Sequence, residues 1–272
     1  PPVAEAARFL GAGPGAGAER ELRPGLFSVN LRPAAVMDEY VRHVVRAEFL
    51  ARRVLDSPVY QRFFAAAPGL KELMVLGKVM VLEDARTGWG RQPRYDLIVL
   101  DAPATGHGLA FLKVPVAALE AVPVGPVASN ARRVLELLRD ARRTALVVVA
   151  VPEEMAVVEA LEFHRMAVDQ VGMTARAVVL NACHERRFTT TQEAEILRLS
   201  AEGAGGTLAG GVDLRAALEA ARHLSRRERM TRFYERRLRR AVDLPLVSLP
   251  FLFQDQMGSA QVEALADRLE AA

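Results

Sequence analysis

The chain has 272 residues, 51% hydrophobic and 25% charged, with 36 basic against 33 acidic residues and a net charge of +3. These are the proportions of an ordinary soluble globular protein, long enough for one large or two small domains. A lone cysteine, Cys183, excludes a disulfide framework and a multi-cysteine metal site. No apolar run approaches the roughly 20 residues of a membrane span, and no signal-peptide pattern is visible, which together point to a reducing, cytoplasmic setting. The basic residues are almost all arginine, with Lys71, Lys78 and Lys113 the only lysines. A GC-rich genome gives the same bias, so no nucleic-acid partner is inferred.

The chain starts Pro1-Pro2, and residues 3–10 (VAEAARFL) read as a helix, so it is expected to begin partway through a fold. Residues 11–25 read as a flexible Gly/Pro/Ala loop; its glycines invite a phosphate-loop reading, but there is no GK[ST] and no preceding strand. Phe27–Leu31 alternates like a short strand. Pro33 opens a helix to about Leu55, and Pro58 opens a shorter one. Leu70–Glu83 has almost no polar face, as expected of a buried helix; a surface for a hydrophobic client is the alternative.

Tyr95–Leu109 reads YDLIVLDAPATGHGL. The apolar run Leu97–Leu100 predicts a strand buried on both faces of a parallel sheet. Asp101 closes it, and Pro103, Gly106 and Gly108 prevent a regular continuation. A carboxylate at the C-terminal end of such a strand lies where open α/β sheets bind ligands. In nucleotide hydrolases it holds Mg²⁺, often through water, and the loop after it offers backbone N–H groups to the terminal phosphate. The competing reading is a helix cap.

Pro115, Pro123 and Pro126 predict short helices over 114–127, followed by an amphipathic helix from Ala128 to Arg142. Ala145–Val151 is a second buried strand, and Pro152 opens a helix to about Val171 with Glu153 and Glu154 in its first turn. Arg176–Leu180 is a third buried strand ending at Asn181. This β-α-β alternation predicts a parallel sheet with right-handed crossovers. The Asn181 side chain offers a donor beside an acceptor, matching the N6/N7 edge of adenine; a turn or cap role competes evenly. Cys183 and His184 do not make a metal site by themselves. A helix starts at Thr189, residues 202–211 form a glycine-rich joint, and Asp213–Arg240 is a long helix with nine arginines from Arg222 onward. A solvated face is the default meaning of that charge, an acidic partner the alternative. Leu246–Leu249 is a last short strand before Pro250, and Gly258–Ala271 a terminal helix.

Asp101-Ala-Pro-Ala-Thr-Gly-His107 resembles the DTAPTGH signature of the anion-transporting ATPases, which include the arsenical-pump-driving and tail-anchored-protein targeting ATPases. The Asp and the Thr-Gly-His match; the middle residues are Ala-Pro-Ala in place of Thr-Ala-Pro. The likeness continues through Pro152–Met155, the strand ending at Asn181 and Leu249-Pro250. It implies an α/β fold with a three-layer P-loop NTPase core and one ATPase domain over 1–272, its helical subdomain contributed by about 33–86 and 114–142. It further implies ATP and Mg²⁺ as cofactors. Asp101 would touch the Mg²⁺ shell through water. Thr105 and Gly106 would sense the γ-phosphate as a switch, and His107 would link that switch to the helical subdomain. Asn181 would read adenine, with Leu249, Pro250 and Phe251 packing on the base. The implied cycle is ATP-driven closing of a homodimer or heterodimer, coupled to a hydrophobic client or membrane partner.

The family's GKGGVGKT-like loop does not occur in the sequence; the Gly77-Lys78 pair lies inside an apolar helix. The expectation is a truncated N-terminus, with this chain alone inactive, and the alternative a non-catalytic subunit that pairs with a catalytic homologue. With Cys183 alone, neither an arsenite site nor an interface zinc site is expected.

Overall fold

A computed structural model of the chain describes residues 19–45, 47–67, 69–88, 92–208, 210–254 and 257–271. The helix expected over residues 3–10 lies outside these. The chain divides into two compact units, one of residues 1–145 and 165–174, the other of residues 146–164 and 175–272.

The first unit is mostly helical. A small antiparallel hairpin, β1 (Arg20–Arg23) with β2 (Leu26–Ser28), occupies part of the stretch expected as loop. Gly25 turns it at φ 80°, and its N–H donates to Glu21 Oε1 at 3.0 Å. The single helix expected from Pro33 is two, α1 (Pro33–Val44) and α2 (Glu48–Leu55), and α3 is Pro58–Ala66. Helix α4 (Leu70–Glu83) places Leu70, Leu73, Met74, Leu76 and Met80 in the interior, against α1 and the helices α5 and α6 described next. Its polar positions are tied down as well: Lys78 reaches Glu39 of α1 at 2.6 Å. Most of the apolar surface that raised a client reading is therefore spent on packing, and Val81 is its exposed member. Strands β3 (Arg86–Thr87) and β4 (Gln92–Pro93) pair antiparallel before the signature segment.

Helix α5 runs unbroken from Thr105 to Ala121, through Pro115. The expected break is absent because the proline ring is fully buried, so packing offsets the one backbone hydrogen bond it forfeits. Gly69, at φ 76°, starts α4 hard against this helix; a Cβ there would lie 3.3 Å from the Val114 methyls. Helix α6 (Pro126–Arg139) buries Ala131, Val134, Leu137 and Leu138.

The second unit holds the main sheet. β5 (Leu146–Ala150), β6 (Ala175–Cys183) and β7 (Leu246–Pro250) pair parallel in the order β5-β6-β7. Helix α7 (Glu154–Met166), continued by a π-turn over Ala167–Val171, crosses from β5 to β6, as the β-α-β pattern predicts. Helix α8 (Thr190–Ala201) opens with a capping box between Thr189 and Gln192, α9 spans Leu214–Ala241, and α10 is Ser259–Glu270. The core joins Val148 and Ala150 of β5, Val157 and Ala160 of α7, Val178 and Leu180 of β6, and Tyr234 and Leu238 of α9. Each buried valine or leucine among them contributes about 1.5–3 kcal/mol. β6 is buried through its centre as expected, whereas β5 is buried on one face only, with Val147 and Val149 exposed. The mixed α/β fold with a parallel sheet stands.

The strand expected at Leu97–Leu100 does not. These residues belong to no helix or strand and pair with no described strand, with Leu97 79% and Val99 82% exposed. A hydrophobic run shows that a segment suits burial; a strand also needs a neighbour's N–H and C=O groups, and no described strand supplies them.

Candidate functional site

The signature lies in the first unit. Asp101 is exposed, in the irregular segment that leads to α5, and makes no ion pair or hydrogen bond among the described residues. It does not cap the helix. The cap position is Ala104 (φ −60°, ψ 158°), which has no side-chain acceptor to offer. The Gly108 N–H bonds Ala104 O at 2.8 Å. Thr105, Gly106 and His107 therefore form an uncapped first turn, whose backbone N–H groups and dipole favour an anion. Gly106 has no atom within 4 Å of where a Cβ would sit, and His107 is exposed. A free carboxylate beside an uncapped helix start is a donor set that fits a phosphate bridged to a hard cation.

Asn181, Leu249, Pro250 and Phe251 lie in the second unit, the first three on adjacent parallel strands and Phe251 just past the end of β7. Leu180 pairs with Ser248 and Cys183 with Pro250, so Asn181 and Ala182 together oppose Leu249. This is a bulge, a device that re-aims side chains at strand ends. Ala182 sits at φ 57°, the one positive φ outside glycine among the described residues. An alanine held there costs roughly 1–2 kcal/mol, strain of the kind found where a loop is fixed for function. Asn181 is half-buried, Leu249 is buried, and the Phe251 ring is 42% exposed.

Past the bulge, the Phe251 N–H donates to Cys183 O at 2.8 Å, and the His184 ring stacks on Phe251 with centroids 4.8 Å apart and planes 17° off parallel. Phe253 meets both edge-on, and the Arg187 guanidinium lies 4.7 Å above the Phe253 ring. Helix α9 holds this loop from behind. The His184 N–H donates to Thr231 Oγ1 at 3.1 Å, and the Arg187 N–H to Glu228 Oε1 at 3.0 Å. Glu228 is fully buried, and its Oε2 is without a partner among the described residues. Burial, with the Arg227 charge second, holds the His184 imidazole below its usual range. Burial likewise pushes the Cys183 thiol up to about 11, so it is an inert core group that donates to Leu180 O at 3.1 Å.

The sequence pointed to Asn181 and Leu249–Phe251. It did not point to His184, Arg187, Glu228, Thr231 or Phe253. His184 just past β6 and the Phe251/Phe253 pair just past β7 were the available signal, and nothing local joins the two.

Residues 18–123 match the model of the anion-transporting ATPase family. The stretch contains the whole Asp101–His107 signature. That stretch of the chain is similar to the anion-transporting ATPases. It is also similar to ATPase BagA of Mycobacterium tuberculosis and to Mb3704 of Mycobacterium bovis, likewise named as an ATPase, each 32% identical over 156 residues. The match covers 54% of this chain and 44% of each relative, so it spans under half the length of the curated relatives.

Proposed function

We propose that the chain is the nucleotide-switch part of an ATP-hydrolysing, dimeric ATPase, acting in the cytoplasm as a single ATPase domain. The observation that carries the reading is the uncapped start of α5 just after Asp101, whose carboxylate is exposed and without a partner among the described residues, inside the family-matched stretch. In this reading Asp101 would hold the water shell of Mg²⁺, and the backbone N–H groups of Thr105 and Gly106 would face the terminal phosphate. Mg²⁺, when bound, supplies neutralisation of the phosphate charge. Asn181 pairs with the polar edge of adenine, and Leu249, Pro250 and Phe251 give the base its apolar floor. Rearrangement of the α5 start on phosphate loss passes through His107 to the helices of 33–86 and 114–142, which face a hydrophobic or membrane-protein client.

Equilibrium titration of fluorescent ATP against the protein expressed from its natural start codon tests this. Mg²⁺-dependent binding, competed by ATP better than by GTP, is the expected result. Absence of nucleotide binding overturns it. Binding without turnover, which appears only when a catalytic homologue is added, supports instead a non-catalytic subunit.

A further inference from the structure

Helix α9 carries nine arginines between Arg222 and Arg240, and the structure sorts them. Arg227 pairs with Glu153 at 2.9 Å, Arg232 with Glu193 at 3.4 Å and Arg239 with Glu235 at 3.1 Å. Arg237 is half-buried. Arg222, Arg226, Arg229, Arg236 and Arg240 are exposed and make no ion pair among the described residues. With Phe233, itself 53% exposed, these five follow one another at alternating steps of four and three residues. That spacing keeps all six within a narrow stripe along one side of the helix, roughly 27 Å long at 1.5 Å per residue. The other side of α9 is spent on the core and the loop behind β6, through Glu228, Thr231, Tyr234 and Leu238.

We propose that this stripe docks the protein on an anionic lipid bilayer. A flat surface touches a straight helix along one line, and the unpaired arginines occupy such a line. Guanidinium groups engage lipid phosphates bidentately while their stems lie along the interface. Phe233, at the middle of the stripe, is the aromatic that enters the headgroup layer. A nucleic-acid groove would embrace the helix from two sides, but the flanking Arg227, Arg232 and Arg239 are already engaged by carboxylates. A partner helix packed in register would need apolar residues along the seam, and five of its six positions are arginine.

The test is flotation of the full chain with vesicles of phosphatidylcholine alone and of phosphatidylcholine mixed with phosphatidylglycerol, at low and high salt. Binding to the mixed vesicles only, weakened by salt, is expected. Each arginine neutralised should weaken it about fivefold, so that Arg226→Gln with Arg229→Gln and Arg236→Gln together cost about a hundredfold. The substituted side chains are exposed, so an unchanged circular-dichroism melt confirms that the triple variant is folded; should it melt early, the Arg229→Gln single variant carries the test. Equal binding of parent and variant, equal binding to neutral vesicles, no binding to either, or retention of duplex DNA in place of vesicles each overturns the proposal.

Discussion

His184 lies flat on Phe251, with ring centroids 4.8 Å apart and planes 17° from parallel. The two residues follow neighbouring parallel strands, and the bond from the Phe251 N–H to Cys183 O fixes the offset between them. The ring pair therefore stands where the sheet edge ends, beside the bulge at Asn181 and Ala182. That placement gives the base-reading half of the proposed function its structural content.

Phe251→Ala removes the ring that would form the floor under a base. Base–aromatic stacking is worth about 1–3 kcal/mol per base, so ATP binding should weaken about tenfold to a hundredfold. Affinity for tripolyphosphate, which has no base, should not change. Calorimetric titration with both ligands checks this; equal losses for the two would move Phe251 from base contact to general loop support.

Glu228 is a fully buried carboxylate that accepts from the Arg187 backbone. Glu228→Ala leaves that N–H without an acceptor, at a cost of about 1–3 kcal/mol in urea unfolding. Glu228→Gln keeps an oxygen in place and should recover most of the loss. If the two variants are equally unstable, the charge and not the hydrogen bond is what the loop uses.

His184 provides a pH signature. Burial and the nearby charges of Arg227 and Arg187 depress its folded pKa below the usual 6.5, against the opposing pull of Glu228. The unfolded chain therefore takes up the proton first as pH falls, so this residue lowers stability below about pH 6.5 and is neutral above it. His184→Gln should flatten the pH dependence of the melting temperature between pH 7 and the folded pKa. An unchanged slope would show that other groups carry it.

Gly106→Ala separates folding from function. A Cβ at this position meets nothing within 4 Å, and alanine suits a helix better than glycine by about 1 kcal/mol. Thermal stability should hold or rise, while phosphate binding at the helix start should fall. A variant both more stable and fully active would remove the α5 start from the site.

The sequence made most elements legible because their periods are local. The β-branched runs at Val147–Val149 and Ala177–Leu180, the long arginine-rich stretch of α9 and the proline at the start of α1 each identify their own element. The failures are non-local. Leu97–Leu100 has the composition of a buried strand but no described pairing partner, and Pro115 stays in a helix because tertiary burial outweighs its local cost. The signature loop was legible as a motif, since Asp101 and the Thr-Gly-His run are contiguous. The bulge was not, since Ala182 holds a conformation for which glycine is the usual marker. The His184–Phe251 stack was not legible either, since two strand ends distant in sequence meet only after the sheet forms.

The most direct measurement is Mg²⁺-ATP turnover by the protein expressed from its natural start codon, beside its Asp101→Asn variant. The account predicts nucleotide-dependent turnover that falls at least tenfold, about 1.4 kcal/mol in barrier, with the variant's melting temperature unchanged because Asp101 is exposed and makes no ion pair or hydrogen bond among the described residues. Turnover that survives the substitution intact would contradict the role assigned to Asp101 and the ATPase mechanism built on it.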